Sequence, residues 1–135
     1  MTPHELLDIL QKHSRWLNKK PGGARANLSF ETLEGSSLAK VNLKRAKMSG
    51  ANLSNCDLRG ADLSEVDLFA ANLSGANLTD ANLTDADLRG CDLNGAILKG
   101  AIMKGVDLRG GALFGTKRKT EGAVRPSDLS NADMD

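Results

Sequence analysis

Aromatic side chains are nearly missing from this chain: its 135 residues include three Phe, one Trp and no Tyr. That excludes an ordinary globular core anchored on large rings. Only two cysteines occur, Cys56 and Cys91. They form no CxxC pair and have no histidine near them, which argues against a zinc site and against a disulfide framework. A reducing, cytoplasmic setting is the expectation. Neither sign of charge prevails, since 18 Lys and Arg face 17 Asp and Glu. The chain as a whole is therefore neither a strongly basic nucleic-acid binder nor a strongly acidic mimic. No apolar run approaches the length of a membrane span. The opening MTPHELLDIL lacks the basic-then-apolar order of a signal peptide.

What the chain has in quantity is Leu, Ala, Gly, Asn and Asp, and they recur in register. From Ala26 to Gly115 the sequence divides without a gap into 18 units of five residues, among them ANLSN, CDLRG, ADLSE, ANLTD and CDLNG. The central position is Leu in 16 units and Met in two, Met48 and Met103. Two residues earlier stands a small residue, mostly Ala, with Val41, Val66, Val106, Cys56 and Cys91 as variants. The residue before the centre is mostly Asn or Asp, and the last residue is most often Gly.

Period five discriminates between architectures. On an α-helix successive centres would step roughly 140° and cover every face. On a flat strand they would alternate sides. Only a path that turns a corner in every unit gathers all the Leu on one side. Gly, Asn and Asp tolerate such corners through positive φ or local side-chain hydrogen bonds. The pattern predicts an all-β solenoid with Leu and the small residues inside, and with coils stacked at strand spacing.

These A-(D/N)-L-x-x units closely resemble the pentapeptide-repeat proteins, and the resemblance covers residues 26–115. It implies a right-handed, four-sided β-helix with four units per coil. On that geometry residues 20 apart stack, so Leu28, Met48, Leu68, Leu88 and Leu108 form one inner column, and Leu33, Leu53, Leu73, Leu93 and Leu113 another. Cys56 and Cys91 become packing residues on different sides, too far apart for a disulfide.

Residues 1–25 are expected to form a capping helix, over roughly 3–17, and a linker. Thr2 can cap, Pro3 suits the first turn and Glu5 completes a T-x-x-E box. Leu6, Ile9, Leu10, His13, Trp16 and Leu17 share one face, and Asn18, Pro21, Gly22 and Gly23 end the element. The string HSRWL resembles the helix that precedes the repeats in many bacterial members of the family. A solenoid's first coil needs cover, so this helix reads as a lid. His13 is expected to be satisfied by backbone, and Phe30 to lie under the lid. Glu31 places a carboxylate at an inward position. It is expected to meet His13 or Arg15, or to reach solvent.

After Gly115 the register breaks at a basic loop, residues 116–126, followed by two further units over 127–135, the last incomplete. An open final coil predicts end-to-end pairing of two copies or continuation into a longer solenoid. Outward apolar residues Phe69, Ile97, Ile102 and Phe114, with Lys117, Arg118 and Lys119 of the loop, are the candidate partner contacts. Local cover of these apolar residues is the competing reading.

No enzyme signature is present. GAILKGAI has the glycine spacing of a P-loop but not its Lys-Ser/Thr, and no histidine follows residue 13. No cofactor and no metal are expected. The predicted function is a non-enzymatic interaction module or scaffold for a protein partner, off the membrane and without nucleic acid. The alternative comes from the family resemblance: protection of DNA gyrase or another topoisomerase by mimicry of duplex DNA. The near balance of charge in the repeat block argues against it.

Overall fold

The computed structural model describes residues 1–110, comprising one helix and seventeen of the five-residue units. The loop 116–126, the units over 127–135 and the contacts Phe114, Lys117, Arg118 and Lys119 lie outside the described residues, and so does any pairing through the final coil.

Helix α1 spans Pro3–Leu17. Its start is set by a reciprocal box: Glu5 N–H donates to Thr2 Oγ1 at 3.1 Å, and Thr2 N–H donates to Glu5 Oε1 at 2.8 Å. Pro3 occupies the first turn, where a missing N–H costs nothing. The C-terminal turn closes at Asn18, whose side-chain amide donates to Ser14 O at 2.9 Å.

From Ala26 onward the backbone turns once per unit. Each turn is a four-residue reversal closed by a hydrogen bond from the third residue after the centre back to the central carbonyl, as from Cys56 N to Leu53 O at 3.2 Å and from Ala76 N to Leu73 O at 3.0 Å. The last residue of every described unit has positive φ, which is the signature of a type II turn. The residue before the centre fixes the turn from outside. Asn52 Oδ1 accepts both the Ser54 N–H (3.0 Å) and the Ser54 hydroxyl (2.7 Å), and Asn72–Ser74, Asn77–Thr79 and Asn82–Thr84 repeat this arrangement. The preference for Asn or Asp at that position therefore reflects a brace on the turn, which the units of Ile97 and Ile102 close without.

Four turns complete a coil. Parallel bridges join residues 20 apart throughout, from Asn27–Lys47 to Asp87–Asp107. With five residues per side, a repeat of 20 gives four sides. We label the sides by their lowest centres: face 1 (Leu28), face 2 (Leu33), face 3 (Leu38) and face 4 (Leu43). Central Leu and Met residues fill the interior and are buried to within a few per cent, as are most of the small residues two positions earlier. The second inward site is tight enough that Ala, Val or Cys serves. Both cysteines are free and buried there, and each thiol donates to a backbone carbonyl: Cys56 to Leu33 at 2.9 Å and Cys91 to Leu68 at 3.0 Å.

Helix α1 lies against the lower rim of the first coil, with Leu6, Ile9 and Leu10 packed on the core. His13 is fully buried. It accepts the Ala26 N–H on Nδ1 (2.9 Å), and its Nε2 pairs with the Lys44 carbonyl (2.8 Å). Its ring stacks on Trp16 with centroids 5.5 Å apart, and the Arg25 guanidinium lies over the indole. One local expectation needs revision and a second is narrowed. Phe30 does not lie under the helix; it is 80% exposed, because the corner position directs its side chain outward and its ring rests against Gly50 of the coil above. Glu31 does not meet His13, whose nitrogens are both taken by backbone. It is half-buried, and no ion pair reaches it among the described residues.

Candidate functional site

With the interior filled, chemistry is confined to outward positions, and each unit offers three. Phe69 projects from face 1 in the third coil and is 47% exposed. The Arg89 guanidinium, one coil higher on the same face, lies 5.3 Å from its ring centroid. Arg89 also grips Asp87 through two bonds of 2.9 and 2.8 Å and approaches Asp107 at 3.8 Å. Arg109 holds Asp107 in the same bidentate way. Face 1 thus carries a column of Phe69, Arg89 and Arg109 beside a column of Asp67, Asp87 and Asp107. Arg59 and Asp57 form the equivalent pair on face 3. Hydrogen bonds from Arg59 hold the Asp57 carboxyl down at about 2, and those from Arg109 do the same for Asp107.

Ile97 and Ile102 belong to the fourth coil. Ile97 is half-buried on face 3, and Ile102 is 50% exposed on face 4. They occupy the place of the usual Asn or Asp, so their units lack the side-chain acceptor that braces neighbouring turns. The described contact candidates do not converge. Ile97 and Ile102 flank one corner, whereas Phe69 stands on face 1, across the solenoid from Ile97.

Sequence reasoning missed a cleft beneath the first coil, of about 440 Å³, between the first half of α1 and the rim of faces 2 and 3. Its walls include Leu6, Leu7 and Leu10 from the helix and Leu33 and Leu38 from the coil. Leu7, an apolar helix residue outside the stripe of Leu6, Ile9, Leu10 and His13, was the available signal.

Among the described residues no group of His, Cys, Asp and Glu could hold a metal ion, and no helix is long and apolar enough to cross a membrane. Burial raises both thiols, Cys91 to about 12, so each stays protonated and unreactive at neutral pH.

Flat faces, inward Leu columns and turn-bracing Asn and Asp define a four-sided β-helix built of five-residue repeats. The chain belongs to the pentapeptide repeat family: the family model for pentapeptide repeats matches over residues 26–65, 36–75 and 71–110. Among solved structures, it is similar to a pentapeptide repeat protein, alr5209, from Nostoc PCC 7120, with 31% identity and a TM-score of 0.67 over 78% of this chain and 84% of that one. A pentapeptide repeat protein of the Arabidopsis thaliana thylakoid lumen shows 32% identity over 76% of this chain and 70% of its own, with a TM-score of 0.40. The plasmid-mediated fluoroquinolone resistance protein QnrB1 shows 16% identity and a TM-score of 0.29, over 63% of this chain and 66% of its own. No curated protein matches the chain.

Proposed function

We propose that this protein is a non-enzymatic interaction module that presents rigid polar faces to a protein partner. The observation behind this reading is the division of labour within each unit. Inward positions are filled by buried aliphatic residues, while outward side chains such as Asn52, Ser54, Asp87 and Arg89 are held in fixed rows by bonds to their own turns. Prearranged side chains lose little freedom on binding, which favours recognition. Helix α1 acts as the cap of the right-handed coil that family membership implies, and Phe69, Ile97 and Ile102 are the apolar contacts the faces offer. Affinity purification with the full chain, with an Ile97→Asp, Ile102→Asp variant and with a chain lacking residues 116–126 tests the reading. A partner retained by the full chain and lost from a soluble variant supports it.

Mimicry of duplex DNA finds less support. Asp57, Asp87 and Asp107 are each neutralised by an arginine two residues on, so these carboxylates do not present a row of free negative charge. A supercoiling assay with DNA gyrase, run with and without a quinolone, separates the two readings: protection would favour mimicry.

A further inference from the structure

The lower rim of the solenoid carries unpaired backbone groups, and on faces 2 and 3 these open into the cleft. Within the stack, the residue before each centre directs its backbone downward. Asn52 N–H donates to Glu31 O at 2.9 Å and Asp57 N–H to Ser36 O at 3.0 Å, while their carbonyls accept from Leu33 N and Leu38 N, both at 2.8 Å. In the first coil the equivalent residues are Asn27, Thr32, Ser37 and Asn42. Their N–H and C=O groups have no hydrogen-bond partner among the described residues. At the corner between faces 4 and 1 other rim groups are taken: His13 pairs with Lys44 O and accepts the Ala26 N–H, and Arg25 Nε donates to Arg45 O at 2.6 Å.

Thr32 and Ser37 both line the cleft beneath the coil, opposite Leu6, Leu7 and Leu10. Leu7 is 53% exposed. A departure in the repeat coincides with this opening. Glu31 and Ser36 are the only polar residues at the second inward position among the described units, and they belong to these same two units. Glu34 adds a second carboxylate two residues after Thr32.

A row of unpaired N–H and C=O groups is a template for another extended backbone. A lipid tail or an amphipathic helix could fill the apolar part of the cleft, but neither offers main-chain groups to Thr32 and Ser37. We infer that the cleft binds an extended segment of a partner protein, which lies beneath the first coil and follows its turn. One apolar side chain sits under Leu33, a second under Leu38, and a lysine or arginine faces Glu31 and Glu34. The segment's carbonyls accept from Thr32 N–H and Ser37 N–H, and its own N–H groups donate to Thr32 O and Ser37 O. This assignment rests on the interaction-module reading and locates one binding site of that module at its helical end.

The test uses the full chain and a set of synthetic decapeptides, each with two leucines five residues apart, an intervening glycine and one lysine. Amide hydrogen exchange is followed by NMR. Binding is expected to slow exchange at Thr32 and Ser37 at least tenfold and to leave Asn52 unchanged. Leu7→Asp, at an exposed position that folding does not depend on, weakens peptide binding at least tenfold, as does N-methylation of the peptide backbone. Absence of protection at both amides across the whole set overturns the proposal. Equal binding of an amphipathic helical peptide or of phosphatidylglycerol vesicles, with both amides unprotected, also overturns it. A captured partner that binds Leu7→Asp undiminished removes the cleft assignment and leaves the module reading intact.

Discussion

His13 reaches across 31 residues to pair with the Lys44 carbonyl at 2.8 Å, while its other ring nitrogen accepts the Ala26 N–H. The backbone at both contacts dictates the tautomer: Nε2 carries the proton and Nδ1 must keep its lone pair. An imidazolium has two donors and would lose the Ala26 bond.

The pH dependence of stability follows from this arrangement. Burial lowers the pKa of His13 below its ordinary 6.5, outweighing the opposing effect of the Lys44 bond. The unfolded chain therefore binds the proton more readily than the folded one. Stability is complete above about pH 6.5 and declines as pH falls from there toward the folded-state value. Urea unfolding at pH 7.5 and pH 5.0 should show the loss. His13→Ala should remove this contribution to the pH dependence and cost about 1–3 kcal/mol for each backbone group it strands. An unchanged midpoint for His13→Ala at pH 7.5 would contradict the clamp.

The central columns should be intolerant of charge and sensitive to volume. Leu83 is fully buried in the third coil. Leu83→Ala is expected to cost about 2–5 kcal/mol, and Leu83→Asp to unfold the middle of the stack. Circular dichroism melting reads both, and native melting of Leu83→Asp would disprove the inward assignment.

The corners carry backbone strain wherever the last residue of a unit is not glycine. Ala70 has φ 57, a left-handed conformation that disfavours a Cβ. Ala70→Gly should raise stability by about 0.5–1 kcal/mol, because relief of strain outweighs the added entropy of the unfolded chain. Gly75→Ala should do the reverse and by more: its φ is 69, and the new methyl would collide with Asn55 Oδ1. Chemical denaturation of the pair should give shifts of opposite sign.

The thiols should be silent in the native state. Burial pushes Cys91 up to about 12, and its Sγ–H is committed to Leu68 O. A thiol reagent such as DTNB at pH 8 should label neither cysteine until urea is added. Rapid labelling of the folded chain would show that the second inward column is open.

Legibility from sequence follows from how local each feature is. The inward assignment of Leu53 or Leu83 could be read from period five alone, because a corner in each unit is the only path that collects those residues together. The capping box at Thr2 and Glu5 is equally local, confined to one turn of helix. Phe30 was misplaced because the direction of a corner side chain depends on the coil above, where Gly50 leaves room for the ring. Phe69, Ile97 and Ile102 were recognisable as outward apolar residues, but their separation onto different faces requires the four-unit coil. The cleft was hidden because its walls, Leu7 and Ser37, come from elements whose relative position no local pattern encodes.

By itself the sequence determined the repeat, the inner and outer position of each residue, and the chemistry of the turns, because these depend on contacts within a few residues. Only the tertiary structure decided where α1 sits on the rim, how His13 replaces a missing coil at one corner, and why Thr32 and Ser37 remain open beside Leu7. Those outcomes depend on backbone groups tens of residues apart finding, or failing to find, a hydrogen-bond partner.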